Sequence, residues 1–212
     1  MTVDLRVYLV TDPSYDDLES VVAAAVSGGV TCVQVRDKGP DADRVGTVRR
    51  LRTMLPAHVV LIANDDVDAA REGHGLHVGL GDIDPRSARA LLGPEAVIGW
   101  SINQLSQLND VAQLAACDYV AASPVWATPT KTDTGIPFGL DGVHRIAERL
   151  GGRLPLVAIG GIDQANAAQV IEAGADGVAV VSAICGADDP RAAAVELRAV
   201  VDAAHVLRGA DL

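Results

Sequence analysis

Short apolar runs recur along the chain, each separated from the next by a longer stretch with apolar residues spaced for one face of a helix. Residues 6–11, 31–36, 59–63, 75–78, 97–100, 119–122, 156–159 and 177–181 are near-continuous in Val, Ile, Leu and Ala. Strands buried on both faces have that composition, whereas a half-solvated antiparallel strand places a polar residue at every second position. Between the runs lie Ala-, Leu- and Arg-rich stretches such as 18–26, 44–55, 106–115, 142–149 and 164–173, and 190–207 follows the last run. The alternation predicts an α/β chain with a parallel sheet. Eight strand-helix units in 212 residues favour a closed (β/α)8 barrel over an open doubly wound sheet, which usually has fewer strands in that length. Gly28-Gly29, Gly93-Pro94, Gly151-Gly152 and Gly174 fall between a helix and the next strand, where a cap or turn is wanted. No linker or low-complexity tract interrupts the pattern, so it predicts one domain over residues 1–212. The longest stretch without periodicity, 123–139, carries Pro124, Trp126, Pro129, Pro137 and Phe138; a loop of that length in a compact barrel is usually functional.

Composition narrows the partners. Only 3% of residues are aromatic against 49% hydrophobic, which suits close helix-on-sheet packing. The net charge of -11 argues against nucleic acid, whose phosphates call for a basic surface, and means that an anionic substrate needs locally concentrated positive charge. No apolar run approaches the roughly 20 residues of a membrane span, and the N-terminal residues lack the order of a signal peptide. Cys32, Cys117 and Cys185 have neither ligand nor redox spacing, so a reducing cytoplasm is expected. The oligomeric state stays open, a homodimer among the options.

In such a barrel the chemistry lies at the C-terminal ends of the strands, which singles out a few residues. Gln34, Arg36 and Lys38 share parity, placing them on one side of an extended segment with Val33 and Val35 on the other. The competing use of the two bases is pairing with Asp37 and Asp41 at a solvated strand end. Asn64-Asp65 follows the third run directly and Asp82 closes the loop after the fourth. Two carboxylates completed by phosphate oxygens and water suit Mg2+; the commoner uses of such aspartates are helix N-cap and turn residue. Thr128, Thr130 and Lys131, in the long loop, could contact phosphate or carboxylate oxygens. Gly160-Gly161-Ile162 and Val181-Ser182 end the seventh and eighth runs, the two loops of this fold that most often bind phosphate through backbone N–H groups. His74 and His77 are three apart, which on a strand puts them on opposite faces, so they form no metal pair. His77 could line the mouth; packing or a supporting hydrogen bond is the expected role. No Ser-His-Asp triad, Walker loop or dinucleotide fingerprint is present.

Read in order, Tyr8-Leu9-Val10-Thr11-Asp12, the run from Gln34 to Lys38, Asn64-Asp65, His77-Val78-Gly79 with Asp82, Gly99-x-Ser101, Thr128-Pro129-Thr130-Lys131, Val157-Ala158-Ile159-Gly160-Gly161-Ile162 and the segment 174–182 resemble the thiamine phosphate synthase family nearly end to end. The resemblance implies a single (β/α)8 TIM barrel and a cytoplasmic transferase of thiamine biosynthesis. It would join 4-amino-5-hydroxymethyl-2-methylpyrimidine diphosphate to a thiazole phosphate, releasing diphosphate with Mg2+. It also implies that Gln34, Arg36, Lys38, Asn64, Ser101 and Lys131 hold the pyrimidine diphosphate, with Lys131, Arg36 and Ser101 the catalytic group. Asp65 and Asp82 would ligate Mg2+, and Thr128, Thr130, Gly161, Val181 and Ser182 would hold the thiazole phosphate. The chain departs from the usual family pattern at Asp66, Leu80, Asn103, Ala121 and Ser123. Two further readings compete with this one: a thiazole tautomerase-like relative, and a non-catalytic barrel that binds a phosphorylated metabolite.

Overall fold

The structure is a computed structural model that describes residues 3–15, 17–128 and 136–210. Eight strands, β1 Val7–Val10, β2 Cys32–Val35, β3 Val60–Asn64, β4 Gly75–Val78, β5 Val97–Ile102, β6 Tyr119–Ala122, β7 Leu156–Ile159 and β8 Gly177–Val180, close into one barrel in sequence order. Every neighbouring pair is parallel, including β1 with β8. The connecting helices are α1 Leu18–Ser27, α2 Arg44–Met54, α3 Val67–Glu72, α4 Pro85–Leu92, α5 Val111–Leu114, α6 Gly139–Leu150, α7 Ala167–Glu172, α8 Ser182–Cys185 and α9 Pro190–Ala210. The closed barrel predicted from the alternation is therefore observed.

Among the boundaries that differ from the sequence reading, two do so for evident local reasons. The stretch expected to be helical over 106–115 divides into a 3₁₀ segment, Leu105–Asn109, and the short α5, because the Asp110 carboxylate takes the Gln113 N–H at 3.1 Å and starts a new helix there. The helix expected over 164–173 begins only at Ala167, because Asp163 and Asn166 tie the preceding residues into a turn.

Strand parity sorts the buried residues into two layers. Val7, Leu9, Val33, Val35, Leu61, Ile98, Val120, Ala158 and Val178 face outward and pack with helix residues such as Val22, Leu51, Ile146, Val170 and Leu197. Tyr8, Val10, Cys32, Val60, Ile62, Val97, Tyr119, Ala121, Val157 and Ala179 fill the lumen. Both faces of each strand are thus desolvated, which explains the continuous apolar runs. Room in the lumen is scarce: a Cβ on Gly99 would stand 2.1 Å from the Tyr119 ring, so the glycine of β5 is the space that the tyrosine of β6 occupies.

The N-terminal end of the barrel is closed by a device used twice. Asp118, just before β6, accepts the Ile98 N–H at 2.7 Å and is paired with Arg89 of α4 at 2.6 Å. Asp176, just before β8, accepts the Leu156 N–H at 2.9 Å and is paired with Arg208 of α9 at 3.0 Å. Each carboxylate satisfies a strand-edge donor while a guanidinium offsets its charge and binds nearby carbonyls. No helix among the described residues is long and apolar enough to cross a membrane.

Gly99→Ala should lower stability by roughly 1–3 kcal/mol, because the added methyl must displace a hydrogen-bonded ring. A urea midpoint or thermal melt checks this; an unchanged midpoint would show that the lumen yields more readily than its packing implies.

Candidate active site

Many of the residues singled out at the strand ends line one mouth, whereas Lys38, Asp65 and Asp82 lie in the loops beyond the ends of β2, β3 and β4. Gln34, Arg36, Asn64, His77, Ser101, Ala121 and Ser123 line a small cavity of about 50 Å³ in the upper lumen. Beside it lies a second cavity of about 410 Å³ lined by residues including Thr128, Gly160, Gly161, Val181 and Ser182. The two share Val10, Arg36, Ser123, Ile159 and Ala179, so they are lobes of one opening.

In the first lobe, the shared parity of Gln34 and Arg36 is realised: Gln34 is buried in the lumen, while Val33 and Val35 pack outward. Arg36 makes no ion pair among the described residues, and its backbone is fixed by the Thr11 hydroxyl, which accepts the Arg36 N–H at 3.1 Å. A guanidinium with that freedom, in so acidic a chain, is positive charge held at the mouth. Lys38 stands 3.3 Å from Asp65, not paired with Asp37 or Asp41 among the described residues.

The two consecutive aspartates divide their duties. Asp66 is the N-cap of α3, accepting the Ala69 N–H at 2.9 Å, and lies 3.8 Å from Arg44. The capping role weighed for Asp65 therefore belongs to its neighbour. Asp65 adopts a left-handed backbone, φ 61°, a conformation that Asp tolerates better than most residues. Its carboxyl is pushed up to about 6, first by burial, then by hydrogen bonding to and repulsion from Asp82, with Lys38 partly offsetting both. Asp82 is itself anchored, accepting the Gly79 N–H at 2.8 Å. Two carboxylates pressed together at a partly solvated rim fit a hard divalent cation. No group of three potential ligands among His, Cys, Asp and Glu occurs among the described residues, so a cation held here would need its remaining ligands from substrate oxygens and water.

In the second lobe, Gly160 and Gly161 have φ of 110° and 67°. A Cβ on Gly160 would also lie 2.6 Å from Pro124, so the glycines let the β7 loop pass closely under the β6 loop. Asn166 holds the turn by donating to the Gly161 carbonyl at 2.9 Å. Opposite, α8 begins at Ser182, and the first N–H groups of a helix lack internal partners.

Several features escaped the sequence reading. His74 precedes β4, and its Nδ1 accepts the Leu61 N–H at 2.9 Å, so the two histidines are not on one strand. His77 reaches Ser101 and Tyr119, each at 2.9 Å, both lining the mouth and making the supporting hydrogen bonds. The sequence assigns Tyr8 and Tyr119 no role in the site, although their inward parity is an available signal. Asn103 donates to the Ser123 carbonyl at 2.9 Å, joining the β5 and β6 ends, and Leu80 is exposed on the rim. Thr130 and Lys131 lie outside the described residues.

The fold and its two-lobed mouth define a barrel enzyme acting on small molecules. The family model described as thiamine monophosphate synthase matches residues 7–184. A thiamine-phosphate synthase of Albidiferax ferrireducens is 47% identical over 206 residues, covering 94% of this chain and 93% of that protein. One of Xanthobacter autotrophicus is 46% identical over 211 residues, covering 95% and 98%. The solved thiamine phosphate pyrophosphorylase of Pyrococcus furiosus superposes with a TM-score of 0.84 at 32% identity, covering 95% of this chain and 97% of that one. The chain belongs to the thiamine monophosphate synthase family, whose members are transferases.

The raised Asp65 carboxyl carries a stability prediction. Its folded value of about 6 exceeds the ordinary 3.8, so the fold disfavours the ionised form: the cost is absent below about pH 4, grows between about 4 and 6, and is fully present above. Asp65→Asn keeps a side chain suited to the left-handed backbone and removes the charge. In metal-free buffer at pH 7.5 it should raise the melting temperature by a few degrees, and the gain should vanish near pH 4. A variant that melts lower at both pH values would overturn the crowding of the two carboxylates.

Proposed function

We propose that this chain condenses 4-amino-5-hydroxymethyl-2-methylpyrimidine diphosphate with a thiazole phosphate, giving thiamine monophosphate and diphosphate. The observation that carries the reading is the single opening in which Gln34, Arg36, Asn64 and Ser101 adjoin a glycine-walled lobe, with Lys38 3.3 Å from Asp65 at the neighbouring ends of β2 and β3. Two phosphorylated substrates are then neighbours across the shared lining, which is the arrangement a condensation needs. The relatives named thiamine-phosphate synthase support the same reaction.

The chemistry asks for no side-chain nucleophile. Diphosphate departs from a benzylic-type carbon, the electron-rich aminopyrimidine stabilises the resulting cation, and the thiazole nitrogen attacks it. The residues have three tasks: holding the ring, neutralising the leaving group and presenting the nucleophile. Gln34, Asn64 and Ser101 hold the pyrimidine. Arg36, Lys38 and Lys131 balance charge on the departing diphosphate. Gly161, Val181 and Ser182, with Thr128 and Thr130, hold the thiazole phosphate. Asp65 and Asp82 would hold Mg2+, which would supply charge neutralisation to the diphosphate. Cys32, Cys117 and Cys185 are free thiols, in keeping with work in the reducing cytoplasm.

Incubated with both substrates and Mg2+, the pure protein should form thiamine monophosphate, and EDTA should stop turnover until Mg2+ is restored. Asp65→Ala and Lys131→Ala should each cost ~100-fold or more in kcat/KM, the scale of losing one charge-stabilising group. Full activity in Asp65→Ala would remove the metal assignment. Conversion of the thiazole phosphate alone would favour the tautomerase-like reading, and tight phosphate binding without turnover the non-catalytic one.

A further inference from the structure

Five polar groups form an unbroken chain across the lumen. Gln34 Nε2 donates to the Tyr8 hydroxyl at 2.7 Å, and that hydroxyl meets the Tyr119 hydroxyl at 2.9 Å. The Tyr119 hydroxyl meets His77 Nδ1 at 2.9 Å, and His77 Nε2 meets Ser101 Oγ at 2.9 Å. All five residues are buried. The Tyr8 and Tyr119 rings cross edge-on with centroids 6.0 Å apart, and Tyr119 stacks on His77 at 5.6 Å. Packing thus holds each hydroxyl in line.

The direction of the protons follows from the first link. An amide N–H can only donate, so the Tyr8 oxygen is an acceptor there and its own hydrogen must go elsewhere. The Cys32 thiol lies beside Tyr8, but sulfur is a weaker acceptor than the Tyr119 oxygen. Tyr8 therefore donates to Tyr119, and Tyr119 donates to Nδ1. Burial raises both phenols well above their ordinary range, so neither loses the proton that the chain requires.

We propose that Tyr8 and Tyr119 are positioning residues that fix His77 as its neutral Nε2–H tautomer, so that Ser101 must donate, and the Gln34 carbonyl must accept, at the ligand-facing ends. Nε2–H occupies one lone pair of the Ser101 oxygen, leaving the serine hydrogen to point into the mouth. Gln34, with its NH2 held by Tyr8, turns its carbonyl the same way. The mouth then offers an acceptor and a donor to a ring carrying the complementary pair, which rests on the reading of Gln34 and Ser101 as pyrimidine contacts.

The test is 15N-histidine labelling of the tag-free protein, with long-range 1H–15N spectra at pH 7.5 and His77 assigned from the signals lost in His77→Asn. The parent should show His77 as Nε2–H. Tyr119→Phe keeps the ring stack and removes the donor to Nδ1, so His77 should become a mixture of tautomers, and KM for the pyrimidine diphosphate should rise about tenfold, the scale of one hydrogen bond, with a smaller change in kcat. Tyr8→Phe should leave the tautomer unchanged, since Tyr119 keeps its donor, yet raise the same KM by freeing the Gln34 amide. Nδ1–H or doubly protonated His77 in the parent overturns the proposal, as does an unchanged tautomer in Tyr119→Phe. If Tyr119→Phe does not fold, the parent spectrum and Tyr8→Phe decide. The expected tautomers without any condensation activity would support the relay while counting against the reaction.

Discussion

Closing short parallel strands into a ring imposes the constraint on which the rest of this structure depends. Most strands here are four residues long, so parity allows each about two inward positions. The lower ones are spent on packing the lumen with Val60, Val97 and Val157. Others carry polar groups, Tyr8, Gln34, His77, Ser101 and Tyr119, which are buried with no bulk water to satisfy them. A fully connected hydrogen-bond chain is the solution that such a place permits. No buried side-chain nitrogen or oxygen among the described residues lacks a partner.

The same constraint orders the mouth. Groups on strand residues, such as Gln34, His77 and Ser101, are held by the sheet and mutually supported. Groups on the loops beyond, such as Arg36, Lys38, Asp65 and Asp82, are partly solvated and strongly charged. Rigid polar contacts thus lie deep and adjustable charge lies at the rim, suiting a ligand with a flat ring at one end and phosphate oxygens at the other.

Much of this was legible in the sequence. Continuous apolar runs at regular spacing specified parallel strands buried on both sides, and their number specified closure. Polar residues just past those runs had to share one end, which is why Gln34, Asn64, Asp65, Ser101 and Gly161 meet. What stayed hidden depends on contacts between distant strands. Tyr119 reads as one more apolar strand residue until the barrel sets it against Gly99, His77 and Tyr8. Asp65 reads as metal ligand or helix N-cap alike until it takes the left-handed backbone and Asp66 takes the cap. The split helix around Asp110 was masked by an Ala- and Leu-rich stretch whose composition suits one continuous helix.

The paired clasps of Asp118 with Arg89 and Asp176 with Arg208 have a consequence for how this architecture can vary. They seal the two seams β5–β6 and β7–β8 from below, at the end of the ring remote from the mouth. Loops on the upper rim can therefore be lengthened, shortened or recharged without disturbing what keeps those seams shut. Change at the floor has no such latitude, since a lost carboxylate leaves both a strand amide and a guanidinium stranded. At these two seams the integrity of the ring is therefore set at the strand starts, leaving the far ends free to be shaped by the ligand.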